Sequence, residues 1–225
     1  MEAYGAPLEQ LVTSEGVNRD LHYKIQLAMR NCKRLKKLVD SIMDMSKLEA
    51  GRLVGNFRPV QLGRVTADLA ALFRSMAEKK KIEYHISCDT DNEPAVYVDP
   101  DLWEKIVCNL LSNAFKYTSK GRVGLTVTHD SGFAHVRVSD TGVGIPQEHL
   151  DTAAEGTGVG LSLTKELVSL HGGRMSLSSQ TEEEAPGESG SIFTVTLPHG
   201  RAHLPAALVH EVAANANGIS YREME

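Results

Sequence analysis

The feature that most constrains the fold is a stretch of the chain, from Arg19 to Glu49, that contains neither proline nor glycine. Apolar residues recur in it at alternating steps of four and three, which is the spacing of a heptad seam. A helix of this length extends ~45 Å, which is longer than a small globular core needs. The spacing therefore predicts one helix of a bundle or coiled coil. The seam residues are Leu21, Ile25, Ala28, Cys32, Leu35, Val39 and Ile42.

Further apolar residues outside the seam widen this stripe, which favours a helical bundle over a two-stranded coil. Residues 6–12 have the composition of the end of another helix, and residues 14–18 are typical of a turn. We therefore expect a helical hairpin of which the first helix is only partly present. An ordinary coiled-coil spacer is the alternative.

A domain boundary is predicted near residue 54, because Gly51, Gly55 and Pro59 interrupt the chain there. Strand-like and helix-like patterns then alternate, which predicts an α+β fold in the form of a two-layer sandwich. The predicted strands are 60–62, 82–86, 96–98, 123–128, 134–139, 175–179 and 192–197, and the predicted helices are 65–80, 99–113 and 159–171. Residues 181–190 are acidic and contain proline and glycine, as a hairpin loop does.

Composition excludes several classes of function. The 24 Lys and Arg residues are outnumbered by 29 Asp and Glu residues, so no basic surface for nucleic acid is expected. The three cysteines are far apart and have no metal-binding spacing, which fits a reducing compartment. No signal peptide and no apolar run of ~20 residues is present, so we expect a cytoplasmic chain that makes no membrane contact itself.

The helix predicted to begin at residue 99 carries polar groups on one face at its C-terminal end. Asn109 and Asn113 are four residues apart, and Lys116 follows one turn later. Two amide oxygens and an ammonium group suit Mg²⁺ and phosphate. Alternatively, the two asparagines are polar positions on a half-exposed helix.

A glycine-containing segment, Asp-Thr-Gly-Val-Gly-Ile-Pro, follows a predicted strand at residues 140–146. A carboxylate beside glycines can accept a hydrogen bond from the exocyclic amine of adenine. Guanine presents a carbonyl at that position and would be rejected. Asp140 could instead only begin an Asx turn.

A second glycine segment, Gly-Thr-Gly-Val-Gly-Leu at residues 156–161, leads directly into a predicted helix. Its backbone amides and the helix N-terminus could hold phosphate. The spacing is not that of a dinucleotide-binding fingerprint, and no Gly-Lys-Ser/Thr follows.

In this order, the three segments resemble the Bergerat-type ATPase domain of sensor histidine kinases. Residues 109–118 resemble the asparagine box of that family, residues 140–146 its first glycine box and residues 156–161 its second. The resemblance extends to residues 190–198. Residues 30–51 are similar to the second helix of the dimerisation and phosphoacceptor hairpin of hybrid two-component kinases, and residues 7–11 resemble the end of its first helix.

The resemblance implies that the chain binds ATP and Mg²⁺. Asn109 and Asn113 would bind the metal, Lys116 would reach phosphate, and Asp140 would recognise adenine. The residues implied to contact the nucleotide are Asn109, Asn113, Lys116, Tyr117, Asp140, Gly142, Gly144, Ile145, Gly156, Thr157, Gly158, Val159, Gly160 and Leu161. A homodimer through the heptad from Leu21 to Ile42, and a response regulator or receiver domain as partner, are also implied.

The predicted organisation is a partial helical hairpin at residues 1–54, an ATP-binding catalytic domain at 55–198, and a tail or linker at 199–225. The family's phosphoacceptor motif is absent before Pro7, and neither His22 nor His149 matches it. The interval from Ile145 to Glu155 is shorter than in the family and contains no phenylalanine. We therefore expect the catalytic portion of a histidine kinase that passes the γ-phosphoryl group of ATP to a histidine outside this chain, and on to a response regulator aspartate.

Two other functions remain open at the level of sequence. One is a degenerate ATP-binding or dimerisation module without transfer activity. The other is an ATP-hydrolysing machine of the topoisomerase, mismatch-repair or chaperone type. Those relatives carry a glutamate base at the position of Asn109, and an amide does not accept a proton from water at neutral pH.

Overall fold

The computed structural model describes residues 19–90, 93–149 and 159–210. The predicted helix end at 6–12, the turn at 14–18 and residues 156–158 of the second glycine segment lie outside these ranges. The chain divides into two compact units after Leu53. The predicted boundary lay between residues 54 and 55.

The described part of the first unit is one helix, α1 (Arg19–Glu49), with the predicted bounds. Gly51 ends it with φ of 63°, and Arg52 donates its N–H to the carbonyl of Lys47 at 2.8 Å. Such a glycine cap satisfies carbonyls that the helix leaves unpaired. Within the described ranges, α1 and the shorter helices all lack the length and apolarity needed to cross a bilayer.

The strands of the second unit are β1 (Arg58–Val60), β2 (Glu83–Cys88), β3 (Val96–Val98), β4 (Arg122–His129), β5 (Phe133–Asp140), β6 (Arg174–Gln180) and β7 (Gly190–Pro198). Five of them form a sheet in the order β2-β4-β5-β7-β6. Strands β2 and β4 are parallel, and all other neighbours are antiparallel. A separate two-stranded antiparallel sheet joins β1 to β3.

Helices cover one face of the sheet, which confirms the predicted α+β sandwich. They are α2 (Leu62–Ala71), α3 (Arg74–Lys80), α4 (Pro100–Tyr117) and α5 (Val159–Leu170). The alternation of β4 places Val123, Leu125 and Val127 in the core. Leu110 and Leu111 of α4 are also buried, and burying a side chain of this size contributes about 1.5–3 kcal/mol.

The helix predicted at residues 65–80 is two helices, so that prediction is wrong in one respect. The chain tightens at residues 72–73, where Phe73 donates its N–H to the carbonyl of Ala70. This turn leaves Leu72 70% exposed and buries Phe73. The ring of Phe73 stacks on Phe115 with centroids 5.8 Å apart, a core contact that a continuous helical pattern does not reveal. Leu62, predicted at a strand end, instead begins α2.

Helix α4 begins where the sequence predicts and ends later than predicted. Asp99 is its N-cap, with Oδ1 accepting hydrogen bonds from the N–H groups of Asp101 at 3.0 Å and Leu102 at 3.1 Å. Pro100 occupies the first turn, where it needs no hydrogen bond. The helix continues to Tyr117, so Asn109, Asn113 and Lys116 all lie on it.

The chain after Pro198 is part of the fold at least as far as residue 210, which corrects the interpretation of residue 199 onward as a tail or linker. The N–H of Phe57 donates to the carbonyl of Leu208 at 3.0 Å, and the N–H of His210 donates to the carbonyl of Phe57 at 2.8 Å. Phe57 is fully buried. The sequence showed no clear periodicity here because this segment is held by backbone hydrogen bonds and has only a short 3₁₀ turn (Ala206–Leu208).

Candidate functional site

The two helices that carry the asparagines and the end of the second glycine segment are joined by side chains. Asn109 donates from Nδ2 to the hydroxyl of Thr164 at 2.8 Å, and that hydroxyl donates to the carbonyl of Gly160 at 2.9 Å. Thr164 is buried. The amide of Asn109 is therefore held in one orientation, with its nitrogen committed to the protein and its Oδ1 as the acceptor.

Gly160 allows this contact to form. A Cβ at Gly160 would lie 2.8 Å from Asn109 Oδ1, closer than such atoms normally approach. Any side chain at residue 160 would push the amide of Asn109 away from α5. Gly160 thus allows α5 to lie close to α4 within the predicted site. Leu161, the next residue of α5, is half-buried.

Lys116 and Tyr117 lie at the exposed end of α4. Lys116 Nζ donates to the hydroxyl of Tyr117 at 2.9 Å and lies 4.6 Å from the centre of its ring. Both side chains are exposed. The ammonium group is thus oriented by its neighbour and remains at the surface, where it is open to an anionic ligand.

Asp140 ends strand β5, and its carboxylate is half-buried. Its Oδ1 accepts the N–H of Gly142 at 2.8 Å, so the Asx-type turn considered from the sequence is present. Burial raises the pKa of the Asp140 carboxyl above its ordinary value, and hydrogen bonds from the backbone of Gly142 and Ser191 oppose the shift. A carboxylate has two oxygens, so this turn leaves acceptor capacity for a ligand.

Thr118 places an unusual polar group next to this carboxylate. Its side chain is fully buried, and it lies close enough to Asp140 to lower the pKa of that carboxyl. Hydrogen bonding from the Thr118 hydroxyl opposes the rise in the pKa of the Asp140 carboxyl, although the two groups do not reach ordinary hydrogen-bond geometry. The sequence predicted no role for Thr118. Its position as the last residue of the asparagine box is the sequence feature that could have pointed to it.

The first glycine segment meets the end of α4. Val143 donates its N–H to the carbonyl of Tyr117 at 3.4 Å, and Ile145 donates its N–H to the hydroxyl of Ser179 on β6 at 2.8 Å. The structure therefore brings together the asparagine helix, residues 140–145 and the start of α5. The part of the second glycine segment from Gly156 to Gly158 lies outside the described residues.

A cation at this site would depend on amide oxygens and on the ligand. In the part of the chain that the structure describes, no three side chains of His, Cys, Asp or Glu are grouped so as to hold a metal ion. Asn109 presents an oriented oxygen, and Asn113 is half-buried one turn further along α4. Oxygen donors of this kind suit Mg²⁺, which usually keeps water and phosphate as its other ligands.

A sandwich whose asparagine-bearing helix meets a half-buried carboxylate and a glycine loop defines an ATPase-type domain. Residues 98–201 match the family described as histidine kinase-, DNA gyrase B- and HSP90-like ATPase. Hybrid signal transduction histidine kinase D of Dictyostelium discoideum is 32% identical over 214 residues, which are 85% of this chain and 13% of that protein. Circadian input-output histidine kinase CikA of Synechococcus elongatus is 36% identical over 180 residues, 73% of this chain and 23% of that protein.

Two solved structures support the same fold. Full-length ShkA in complex with AMPPNP has a TM-score of 0.69 at 21% identity, and the match covers 92% of this chain and 46% of that one. ThkA in complex with the response regulator protein TrrA has a TM-score of 0.67 at 21% identity, and the match covers 87% of this chain and 56% of that one. This chain carries the ATPase-type catalytic domain of histidine kinases. It spans less than a quarter of the length of the two relatives above.

Proposed function

We propose that this chain is the ATP-binding catalytic portion of a two-component sensor histidine kinase. The observation that carries the proposal is the junction of α4 and α5, where Thr164 orients the side-chain amide of Asn109 and Gly160 leaves room for it. Amide oxygens that are oriented in advance suit Mg²⁺ and the phosphates that accompany it. The matches to named histidine kinases do not favour a module without transfer activity.

Asp140 would recognise adenine. Its carboxylate would accept a hydrogen bond from the exocyclic amine, and Thr118 could donate to, or accept from, the same edge of the base or a water held there. The backbone of Gly142, Gly144 and Ile145 would line this part of the pocket. A guanine ring would place a carbonyl against the carboxylate and lose affinity.

The phosphates would lie between α4 and the start of α5. Asn109 and Asn113 would hold Mg²⁺, and Lys116 with Tyr117 would reach the phosphates from the exposed end of α4. The metal, when bound, neutralises charge on the phosphate oxygens. The segment from Gly156 to Gly160, with Thr157, Val159 and Leu161, would contribute backbone N–H groups and close packing around the phosphates.

The acceptor of the γ-phosphoryl group would be a histidine outside this chain, and a response regulator aspartate would receive it next. Positioning by the residues above would supply most of the rate. The proposal includes a cytoplasmic location, where ATP is plentiful. We assign residues 1–54 to the helical hairpin and extend the catalytic domain from residue 55 to at least residue 210.

A homodimer through the heptad of α1 is part of the proposal. Within its own unit, Leu21, Leu35 and Ile42 are 51%, 58% and 55% exposed. Such a row of exposed apolar side chains on one helix is costly in water and suits burial against a second copy. The resemblance to ThkA, whose structure contains a response regulator, supports a regulator as the further partner.

Calorimetric titration of the purified chain tests this function. ATP should bind with Mg²⁺ present and more weakly when the metal is chelated, and GTP should bind much more weakly than ATP. Mixing the chain with ATP and a separate phosphoacceptor hairpin from a related kinase should produce acid-labile phosphate on the hairpin. Absence of ATP binding in both conditions would refute the proposal.

A further inference from the structure

The loop between β6 and β7, residues 181–189, supplies a carboxylate that reaches the first glycine segment. Glu184 Oε2 accepts the N–H of Thr181 at 2.8 Å and the hydroxyl of Thr181 at 3.0 Å. Its Oε1 accepts the N–H of Gln147 at 2.9 Å. One oxygen of Glu184 is therefore used within its own loop, and the other holds the chain just after the glycine segment.

The end of β6 holds the glycine segment in the same manner two residues earlier. Ser179 accepts the N–H of Ile145 at 2.8 Å and its hydroxyl lies 2.7 Å from the carbonyl of Gly190, to which it donates. Gly144 has φ of 71°, and a Cβ there would collide with the carbonyl of Gln180. Residues 144–147 are thus fixed from outside, by β6 and the loop that follows it.

Glu184 is suited to this contact by its charge. Hydrogen bonds from the backbone of Thr181 and then of Gln147 lower the pKa of the Glu184 carboxyl below its ordinary value, so it is ionised at neutral pH. A hydrogen bond to an ionised acceptor is roughly twice as strong as a neutral one. Glu184 lines an open cavity of about 640 Å³ together with Glu148, Glu182 and Glu183. The surface around Glu184 is therefore acidic.

We propose that Glu184 is a positioning residue for the nucleotide site. Its carboxylate fixes Gln147 and thereby the loop that follows Asp140, although it touches no ligand itself. The proposal rests on the proposed function, because it assumes that residues 140–145 bind the adenine end of a nucleotide. It adds a residue outside the three family segments to the parts that shape the pocket.

Glu184→Gln is the sharpest test because the side chain keeps its size. An amide has a single acceptor oxygen, so it can satisfy either Thr181 or Gln147, and its NH₂ group then faces another N–H donor. Glu183→Gln is the matched control. It removes the same charge from the same loop and from the same cavity lining.

Titration of the full chain with ATP and Mg²⁺ provides the first measurement. Loss of one charge-assisted hydrogen bond at the loop should weaken ATP affinity by about 3- to 10-fold in Glu184→Gln. Glu183→Gln should stay within about 2-fold of the wild type, because exposed charges interact weakly across water. Equal affinities for the two variants would overturn the positioning role.

The amide proton of Gln147 provides a second measurement that needs no nucleotide. Its NMR shift should titrate with pH in the wild type and in Glu183→Gln, with a midpoint below the ordinary glutamate value of 4.5, and should not do so in Glu184→Gln. A Gln147 amide that does not titrate in the wild type would refute the contact and the proposal with it. If it titrates but the wild type binds no ATP, the contact stands while the proposed function, and the positioning role that depends on it, are both wrong.

Discussion

The side-chain amide of Asn109 donates a 2.8 Å hydrogen bond to the hydroxyl of Thr164, and this bond joins the asparagine helix to the helix that follows the second glycine segment. The bond forms between protein groups alone. It orients Asn109 Oδ1 before any cation arrives, which is the kind of preorganisation that a binding site needs. Thr164 itself lies outside all three family segments.

Replacing Thr164 with valine should weaken the binding of ATP in the presence of Mg²⁺. The shape of the side chain is kept, but the Nδ2 group of Asn109 loses its acceptor, and a lost hydrogen bond of this kind costs about 1 kcal/mol, or roughly 5-fold in affinity. Thr164→Ser keeps the hydroxyl and serves as the control. Calorimetry on both variants checks this, and a valine variant that binds like the wild type would contradict the orienting role.

Gly160→Ala should also reduce affinity, for a steric reason. The new Cβ would lie 2.8 Å from Asn109 Oδ1, so the amide has to move. We expect a decrease in ATP affinity of roughly 10-fold, with the far-ultraviolet circular dichroism unchanged. Gly132→Ala is the matched control, because a Cβ at Gly132 meets nothing within 4 Å.

Asp140→Asn should weaken ATP binding without loss of stability. Burial raises the pKa of Asp140, so the ionised carboxylate at neutral pH is less favourable in the folded chain than in the unfolded one. The free energy of unfolding of the wild type therefore increases as the pH falls toward 3.8, the ordinary pKa of an aspartate. The asparagine variant lacks this increase. Calorimetric titration with ATP measures the loss of binding, and urea denaturation at pH 7 and pH 5 measures the stability of both proteins. A variant that unfolds more easily than the wild type at pH 7 would show that the carboxylate is structural.

His171 should remain neutral in the folded chain below pH 6.5. Its Nδ1 donates to the carbonyl of Leu167 at 2.7 Å, and its Nε2 accepts the N–H of Asp99 at 3.1 Å, so the ring has no place for a second proton. Burial lowers its pKa from the ordinary 6.5. As the pH falls, the unfolded chain takes up a proton on this ring before the folded chain does. The contribution of the neutral ring to stability is therefore fully present above pH 6.5 and is lost as the pH falls.

NMR of the His171 ring should show the Nδ1-protonated tautomer at pH 7 and a titration midpoint below the ordinary 6.5. The urea midpoint should be lower at pH 5.5 than at pH 7.5. Burial also lowers the pKa of His199 and His203, which adds to the same trend. The ring measurement separates His171 from them, and a His171 midpoint near 6.5 would contradict the expectation.

Leu35→Glu should dissociate the proposed dimer. The substitution puts a charge into the centre of the apolar seam of α1, where burial is costly. Lys33→Glu, which changes the charge of the same helix by more but lies off the seam, should leave the dimer intact. Sedimentation of both variants measures the difference, and a wild type that is monomeric at high concentration would show that the seam has another role.

Local sequence signals predicted much of this fold and less of its site. The absence of glycine and proline marks α1 between Arg19 and Glu49, and alternating apolar residues mark the strands of the sheet. The break before Phe73 escaped prediction because it depends on Phe115, more than 40 residues away. Thr164 and Glu184 escaped for the same reason, since each acts through a partner that only the folded chain brings near.

The pairing of Phe57 with residues 208–210 has a consequence for how this domain can be combined with others. Its first and last described segments lie side by side, since Phe57 exchanges backbone hydrogen bonds with Leu208 and His210. Chain positions that lie side by side are places where an inserted domain can join its host without stretching it. A chain shortened at Pro198 would lose both of these backbone partners of Phe57, so a piece of this protein that is joined to another polypeptide should keep Phe57 together with residues 208–210.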